Sequence, residues 1–462
     1  MHSSRPNILF IMSDDHGAQS ISAYNDQLIH TPHIDRLADE GIRMDNVYCT
    51  NSLCAPSRAT ILTGQYSHEN GVRGLSEHFD NTQQTFPGLL QENGYQTGLV
   101  GKWHLGHGEA HHPAGFDYWS IFNDQGEYYT PTMIEAGGRK QVPGYATDVV
   151  TDYALDWMQA RRTDEPFMLM VNHKAPHRPW LPAEKHKDAF NDMEFQLPTT
   201  FNDTYENRAT AARIAEMRIE DLTEEDVKGT PPEGLTHQEV KEWKYQRYIK
   251  DYLRCVLSID ENIGRLLRYL DEEQLAENTI VIYTSDQGFF LGEHGWYDKR
   301  FMYEESLQMP FLMRYPKSIP ARSTSSSIII NNDFAPTLLD YAGVQPRTPM
   351  QGESFRPVAE GRTPDSWRSS FYYRYWEHLT IHNVAAHYGV RTGRYKLIYY
   401  YGEPLDVIGA VNKPMEPEWE LFDLERDPKE MKNEYDNPLY ASVIEELKAE
   451  LQALRRQYNE QS

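Results

Sequence analysis

A chain of 462 residues with 39% hydrophobic and 25% charged residues is globular, with room for about three domains or one large α/β domain and an appendage. Its formal net charge of −24 repels phosphate backbones and anionic lipid, which excludes a general nucleic-acid or membrane-surface binder. Three cysteines (Cys49, Cys54 and Cys255) cannot staple a fold and lack zinc-knuckle spacing, and no apolar run reaches the ~18–20 residues of a membrane span.

The first apolar run, residues 8–12, is shorter than the signal-peptide core of about 7–15 residues and reads as a buried strand. As written, the chain is expected in the cytoplasm, or exported to the periplasm if a signal has been trimmed. Residues 98–100, 167–171, 279–284 and 311–314 are also continuous apolar runs, the pattern of parallel strands buried on both faces. Helical spacing in residues 147–161 and 245–270 falls between them. The alternation predicts a doubly wound α/β sheet, in which ligands gather at the carboxyl ends of the strands. Asp14, Asp15, Lys102, His104, His173, His177, Asp286 and Gln287 all follow directly after such runs. Residues 185–242 are polar and read as a surface excursion.

Past residue 362 the pattern alternates. Residues 371–376, 388–401 and 419–424 predict a small antiparallel sheet. Ile444, Leu447, Leu451, Leu454 and Tyr458 predict a closing amphipathic helix that serves packing. The expected division is a catalytic domain over residues 1–365 and an α+β subdomain over residues 366–462 that contributes to the substrate pocket. Thirty tyrosines and nine tryptophans suit stacking on sugars, and suit core and rim packing equally well.

Asp14-Asp15 at a strand end is either a cap or solvated turn, or half of a cation cage. Asp286-Gln287-Gly288 follows a second strand, and the two pairs together offer hard oxygen donors of the kind that hold Ca²⁺ or Mg²⁺ rather than zinc. Cys54-Ala55-Pro56-Ser57-Arg58 opens a helix, because Pro56 fits a first turn. A cysteine there is expected to have a lowered pKa and to act as a thiolate, or else to be buried and inert.

Cys54-x-Pro-Ser-Arg58 followed by Ala59-x-x-x-Thr63-Gly64 resembles the maturation signature of the type I sulfatases of the alkaline phosphatase superfamily. Four further segments resemble that family in order: residues 7–17, Gly101-Lys102-Trp103-His104-Leu105-Gly106, His173-Lys174-Ala175-Pro176-His177, and Asp286-Gln287-Gly288 through His294 to Lys299. The resemblance implies an alkaline-phosphatase-like sandwich and conversion of Cys54 to Cα-formylglycine by a host maturation enzyme. It implies one divalent cation, Ca²⁺ by family with Mg²⁺ as the other choice, on Asp14, Asp15, Cys54, Asp286 and Gln287. Gln287 stands where the family often has Asn or His. Arg58 would hold residue 54, Lys102 and Lys299 the sulfate oxygens, and His104 and His177 would move protons. His177 is the first choice to protonate the leaving oxygen and Lys299 the second. His173 is read as structural, and His294 as structural or catalytic.

The implied chemistry has a physical logic. A hydrated aldehyde carries two hydroxyls on one carbon. One loses its proton to Asp286 beside the cation and attacks sulfur, and the other later loses its proton to His104 and expels sulfate. Serine or plain cysteine lacks that second hydroxyl.

For substrate, the resemblance is to exo-acting carbohydrate sulfatases of the N-acetylglucosamine-6-sulfatase and iduronate-2-sulfatase kind, which favours a sulfated mono- or oligosaccharide, glucosamine 6-sulfate first. Arg178, Trp180, Arg374, Glu377, His378 and His387 are the expected sugar contacts, each also explicable as a rim or fold residue. Aryl sulfatase, phosphonate or phosphodiester hydrolase, and a calcium-dependent sulfated-glycan binding protein are the rivals. The chain is expected as a monomer or homodimer.

Overall fold

The computed structural model of the chain describes residues 5–460. Among these, ten strands form one mixed sheet: β1 (Asn7–Ser13), β2 (Ile42–Met44), β3 (Gln96–Gly101), β4 (Tyr118–Phe122), β5 (Thr132–Glu135), β6 (Gly138–Gln141), β7 (Phe167–Asn172), β8 (Thr279–Ser285), β9 (Phe311–Arg314) and β10 (Ser323–Ser325). Their order across the sheet is β10-β2-β9-β8-β1-β7-β3-β4-β5-β6. The central strands β8, β1, β7, β3 and β4 run parallel. Antiparallel pairings of β9 with β8 and β2, and of β5 with β4 and β6, close the flanks. Every residue of β1, β3, β7 and β8 is buried, so both faces of the sheet are covered, as parallel sheets require.

Four helices matter most: α1 (Cys54–Thr63), α2 (Ala146–Ala160), α3 (His237–Glu272) and α4 (Ala441–Gln457). α2 packs on β3, β7 and α3. The predicted start of α3 at residue 245 moves back to His237. Thr236 and Glu239 form a reciprocal capping box there, the Glu239 N–H donating to Thr236 Oγ1 at 3.3 Å and the Thr236 N–H to the Glu239 carboxylate at 2.7 Å. Its first turns carry too few apolar residues to show periodicity. Among the described residues, no helix is long and apolar enough to cross a membrane.

The segment expected as a surface excursion is a correction. Between residues 185 and 242, Phe195, Phe201, Tyr205, Met217, Leu222 and Val227 are buried. Tyr205 stacks on Trp296 at 5.2 Å, so this segment clamps the chain just before Lys299. The apolar residues lie too far apart in sequence to show a period.

The second sheet is an antiparallel meander of β11 (Ser370–Tyr375), β12 (His387–Thr392), β13 (Tyr395–Tyr400) and β14 (Glu418–Asp423). The alternating run read over residues 388–401 is a hairpin, broken at Gly393-Arg394. α4 lies on this sheet and buries Ile444, Leu447, Leu451 and Leu454. The meander is tied to the loops that carry Thr50 and Arg300. Arg374 N–H donates to the Thr50 carbonyl at 3.0 Å, and the Tyr373 hydroxyl donates to the Arg300 carbonyl at 2.7 Å. The meander therefore holds the loop that carries Lys299.

Register sets the rest. Ser13 pairs with Ser285, Met12 with Asn172, and Gly101 with Asn172. The next residues along each chain are Asp14, Asp286, His173 and Lys102, delivered together at one sheet edge. Gly101 makes the exit of β3 possible. Its φ is +101°, and an added Cβ would lie 2.0 Å from the Asn172 carbonyl oxygen. We expect Gly101→Ala to destabilise the protein by about 2–3 kcal/mol. Gly393→Ala, where a Cβ meets nothing within 4 Å, serves as the control. Thermal unfolding of the two variants checks this, and equal melting temperatures would refute it.

Candidate active site

Three carboxylates lie at the strand ends with no water-facing surface. Oxygens of Asp14, Asp15 and Asp286 fall within 4.8 Å of one another, and a second set joins Asp14, the Cys54 sulfur and His177. Like charges so close are tolerated only when cations share the site. Lys102 Nζ pairs with Asp14 Oδ2, and Lys299 Nζ with Asp15 Oδ1. Arg58 grips Asp286 Oδ2 through Nε at 3.1 Å and Nη2 at 2.9 Å. Both side chains of that last pair are buried, so truncating one would strand the other at a cost of about 3–5 kcal/mol.

The charges divide unevenly. Burial opposes the Asp14 carboxylate, but Lys102, His177 and Arg58 hold it well below the usual range. Burial pushes Asp15 up to about 8 against the pull of Lys299, and lifts Asp286 to about 6 against Arg58. Burial opposes the Lys299 ammonium, yet Asp15 and its neighbours keep it well above its ordinary value. Two buried oxygens, Asp14 Oδ1 and Gln287 Oε1, have no hydrogen-bond partner, while the Gln287 amide nitrogen donates to Asp15. Unmet oxygens beside three carboxylates are the donor set of a hard divalent cation.

Cys54 is the first residue of α1, all ten of whose residues are buried. No side chain caps this helix. The expected lowered thiol pKa is a correction. Burial, and then Asp14, push the Cys54 thiol far above its ordinary value, which outweighs the helix terminus. Asn331 Nδ2 donates to Ser57 Oγ at 2.9 Å, and that hydroxyl donates to the Asp286 carbonyl, fixing the helix to the metal segment.

The histidines face the site from two loops. His177 donates from Nδ1 to the Arg178 carbonyl at 2.7 Å and leaves Nε2 3.7 Å from Asp15 Oδ2. His104 sits at φ +56° and accepts at Nε2 from the Gln125 amide at 3.1 Å. Burial holds both imidazoles well below their usual value. His173 is buried in the core and His294 is pinned by Asp203 at 3.0 Å, both structural placements.

Sequence reasoning missed Gln125 and Lys174. The Gln125 carbonyl group of its side chain accepts from Lys102, and its backbone carbonyl accepts from Lys174 Nζ at 3.2 Å. Burial and Lys102 bring Lys174 down to about 8. Its place between His173 and His177 was the available signal, whereas Gln125 follows β4, which shows no continuous apolar run, and gives none.

The expected sugar contacts fare differently. Arg178 is half-exposed and forms a bidentate pair with Asp226, at 2.6 Å to each oxygen. Trp180 is a correction: it is 0% exposed and packs edge-on to Tyr248 at 4.8 Å. His378 and His387 are corrections too. His378 bonds the Ala386 N–H at 3.2 Å and the Lys413 carbonyl at 3.0 Å, and His387 bonds the Met302 N–H at 3.1 Å and the Ala385 carbonyl at 2.8 Å. Both nitrogens of each ring serve the fold. Arg374 is buried against Glu460 and the Trp376 ring, a further correction. Glu377 is buried but accepts from Arg300 Nη1 at 3.4 Å, one residue from Lys299. A cavity of about 310 Å³ opens beside His104, lined also by Leu75, His78, His107, Asp124 and Arg139.

The sulfatase family model matches residues 6–344, and the N-sulphoglucosamine sulphohydrolase C-terminal model matches residues 292–457. The chain is 45% identical to the N-acetylglucosamine-6-O-sulfatase of Bacteroides thetaiotaomicron, over 99% of this chain and 87% of that relative. It is 30% identical to the N-acetylglucosamine-6-sulfatase of Homo sapiens, over 80% of this chain and 67% of that one. Among solved structures it is similar to BT4656 in complex with its substrate D-glucosamine-2-N,6-O-disulfate, at a TM-score of 0.92 and 44% identity over 99% of each chain. The phosphonate monoester hydrolase of Agrobacterium radiobacter shares the fold at a TM-score of 0.77 and 19% identity, over 98% of this chain and 96% of that one. The first match runs through every segment that builds the carboxylate cage, and the chain belongs to the sulfatase family.

Proposed function

We propose that this sulfatase removes the 6-sulfate of a glucosamine-type sugar, acting on short or terminal units. The observation that carries the reading is the likeness, at 44% identity along the whole chain, to a structure holding a glucosamine 6-O-sulfate. The chain's charge of −24 also disfavours long polyanions beyond the cleft.

Asp14, Asp15, Asp286 and Gln287 would hold the divalent cation, Ca²⁺ by the hardness of their oxygens, and the two unmet oxygens fit that role. Bound there, the cation supplies positive charge that favours a deprotonated hydroxyl on residue 54 and stabilises the sulfate oxygens. Conversion of Cys54 to formylglycine supplies an aldehyde hydrate as nucleophile, with a second hydroxyl that lets sulfate leave. Because Cys54 is 2% exposed, a maturation enzyme reaches it before the fold closes.

The chain's own groups do the rest. Arg58 fixes Asp286 so that its carboxylate accepts a proton from residue 54. Lys102 and Lys299, held by Asp14 and Asp15, turn their charge toward the sulfate. His177 presents Nε2 to the leaving oxygen, and an anionic ester arriving beside it favours the protonated ring that donates. His104 would receive a proton from residue 54 at Nε2 when sulfate departs, once the Gln125 amide gives up that nitrogen.

Cys54→Ala and Cys54→Ser are expected to lower kcat/KM by about 10³-fold or more with unchanged melting temperature. In active protein the peptide carrying residue 54 is expected about 18 Da lighter than its cysteine form. Substantial turnover by either variant would refute the nucleophile. Chelation is expected to abolish sulfate release and Ca²⁺ to restore it; full activity after metal removal would refute the cation's role. Against position-defined sulfated monosaccharides and an aryl phosphodiester, kcat/KM is expected highest for N-acetylglucosamine 6-sulfate or glucosamine-2-N,6-O-disulfate. A higher value for another position or for the diester would overturn the substrate assignment.

A further inference from the structure

Beyond the catalytic set, histidines gather on the wall of the cavity beside His104. His78 and His107 are exposed and line it, and His111 packs half-buried behind them. The ring centres of His78 and His111 are 4.8 Å apart, and those of His78 and His107 are 6.1 Å apart. With a metal–nitrogen bond of about 2.0–2.1 Å, two tetrahedral imidazole ligands place their ring centres about 5 Å apart. The His78–His111 separation matches that spacing, and the His78–His107 separation exceeds it by about 1 Å, so His107 must move inward to share the ion.

Three features of the chain prepare it. His111 Nδ1 donates to the Phe79 carbonyl at 2.8 Å, which fixes the tautomer and leaves the Nε2 lone pair free to ligate. Metal-binding histidines are oriented by such a bond to a backbone carbonyl. The Trp103 indole N–H donates to the His111 carbonyl at 2.8 Å and anchors the backbone beneath. Gly106 makes room, since a Cβ there would lie 2.8 Å from His111 Cβ and 3.2 Å from His78 Cβ.

We propose that His78, His107 and His111 form a binding site for a borderline divalent cation of the zinc class. In this structure the rings meet edge to face, at 69° and 87°, so ligation turns His78 and His107 about their side-chain torsions. Both have the freedom to turn, being exposed, and His107 stands between Gly106 and Gly108, both at positive φ. Imidazole nitrogen selects Zn²⁺, Ni²⁺ or Cu²⁺ over Ca²⁺. The protein therefore carries two cation sites of opposite preference, oxygen-lined in the cage and nitrogen-lined on the wall. This inference rests on the cluster alone and does not depend on the substrate assigned above.

The test is a Zn²⁺ titration against a chromophoric chelator, with the protein held in excess Ca²⁺ at neutral pH. Wild type is expected to bind one Zn²⁺ that His78→Ala and His111→Ala each weaken by about tenfold or more. Asp286→Asn, which alters the cage, is expected to retain that Zn²⁺. No bound Zn²⁺ in wild type, or equal binding in wild type and both histidine variants, would overturn the proposal. So would loss of the ion in Asp286→Asn with both histidine variants unaffected.

Discussion

Burying Asp14, Asp15 and Asp286 at one sheet edge is the constraint around which the rest of the site is built. Each carboxylate taken from water costs several kcal/mol unless paired, and three together repel as well. Lys102, Lys299 and Arg58 answer them one for one, each in a buried ion pair. With all three carboxylates ionised, the protein part of the cage is formally neutral. A divalent cation added to it leaves a local surplus of positive charge at the point where a sulfate ester would sit. A chain of net charge −24 can in this way attract an anion over a few ångströms while repelling it elsewhere.

That arrangement depends on how rigidly the strands are held. β1, β7 and β8 continue their ladders into the catalytic loops: His173 N–H donates to Met12 O at 2.8 Å, and Asp286 N–H to Ser13 O at 3.2 Å. The side chains that carry charge are thus fixed by backbone bonds, on strands with no exposed face. Helix α1 is equally enclosed and is bolted to the same loops through Ser57 and Arg58. Positioning of this kind lets charge be presented without reorganisation during reaction.

Enclosure also changes what Cys54 can do. In an open helix N-terminus a thiol would ionise readily. In this dry and partly anionic setting burial and Asp14 raise its pKa instead. The low exposure that disables the thiol is the environment in which a cation and two lysines act most strongly. The meander of β11–β14 supports this from outside, since Tyr373 and His387 bind the backbone around Arg300 and Met302.

The sequence by itself determined the sheet centre and the cage. Continuous apolar runs marked β1, β3, β7, β8 and β9; the polar residues after the first four became neighbours because those parallel strands share one carboxyl edge, whereas β9, expected to be parallel, runs antiparallel. Short flanking strands such as β2, β5, β6 and β10 left no run long enough to read, and the buried residues between 185 and 242 were too scattered. Tertiary structure alone decided which aromatic and histidine side chains face the cleft. Trp180, His378 and His387 serve packing as well as they would serve a sugar, and only the surrounding fold claimed their surfaces and ring nitrogens. It also recruited Gln125, a loop residue whose link to Lys102 and His104 spans two separate segments. It reversed the expected acidity of Cys54, because desolvation depends on everything packed around a group, whereas helix position is written locally.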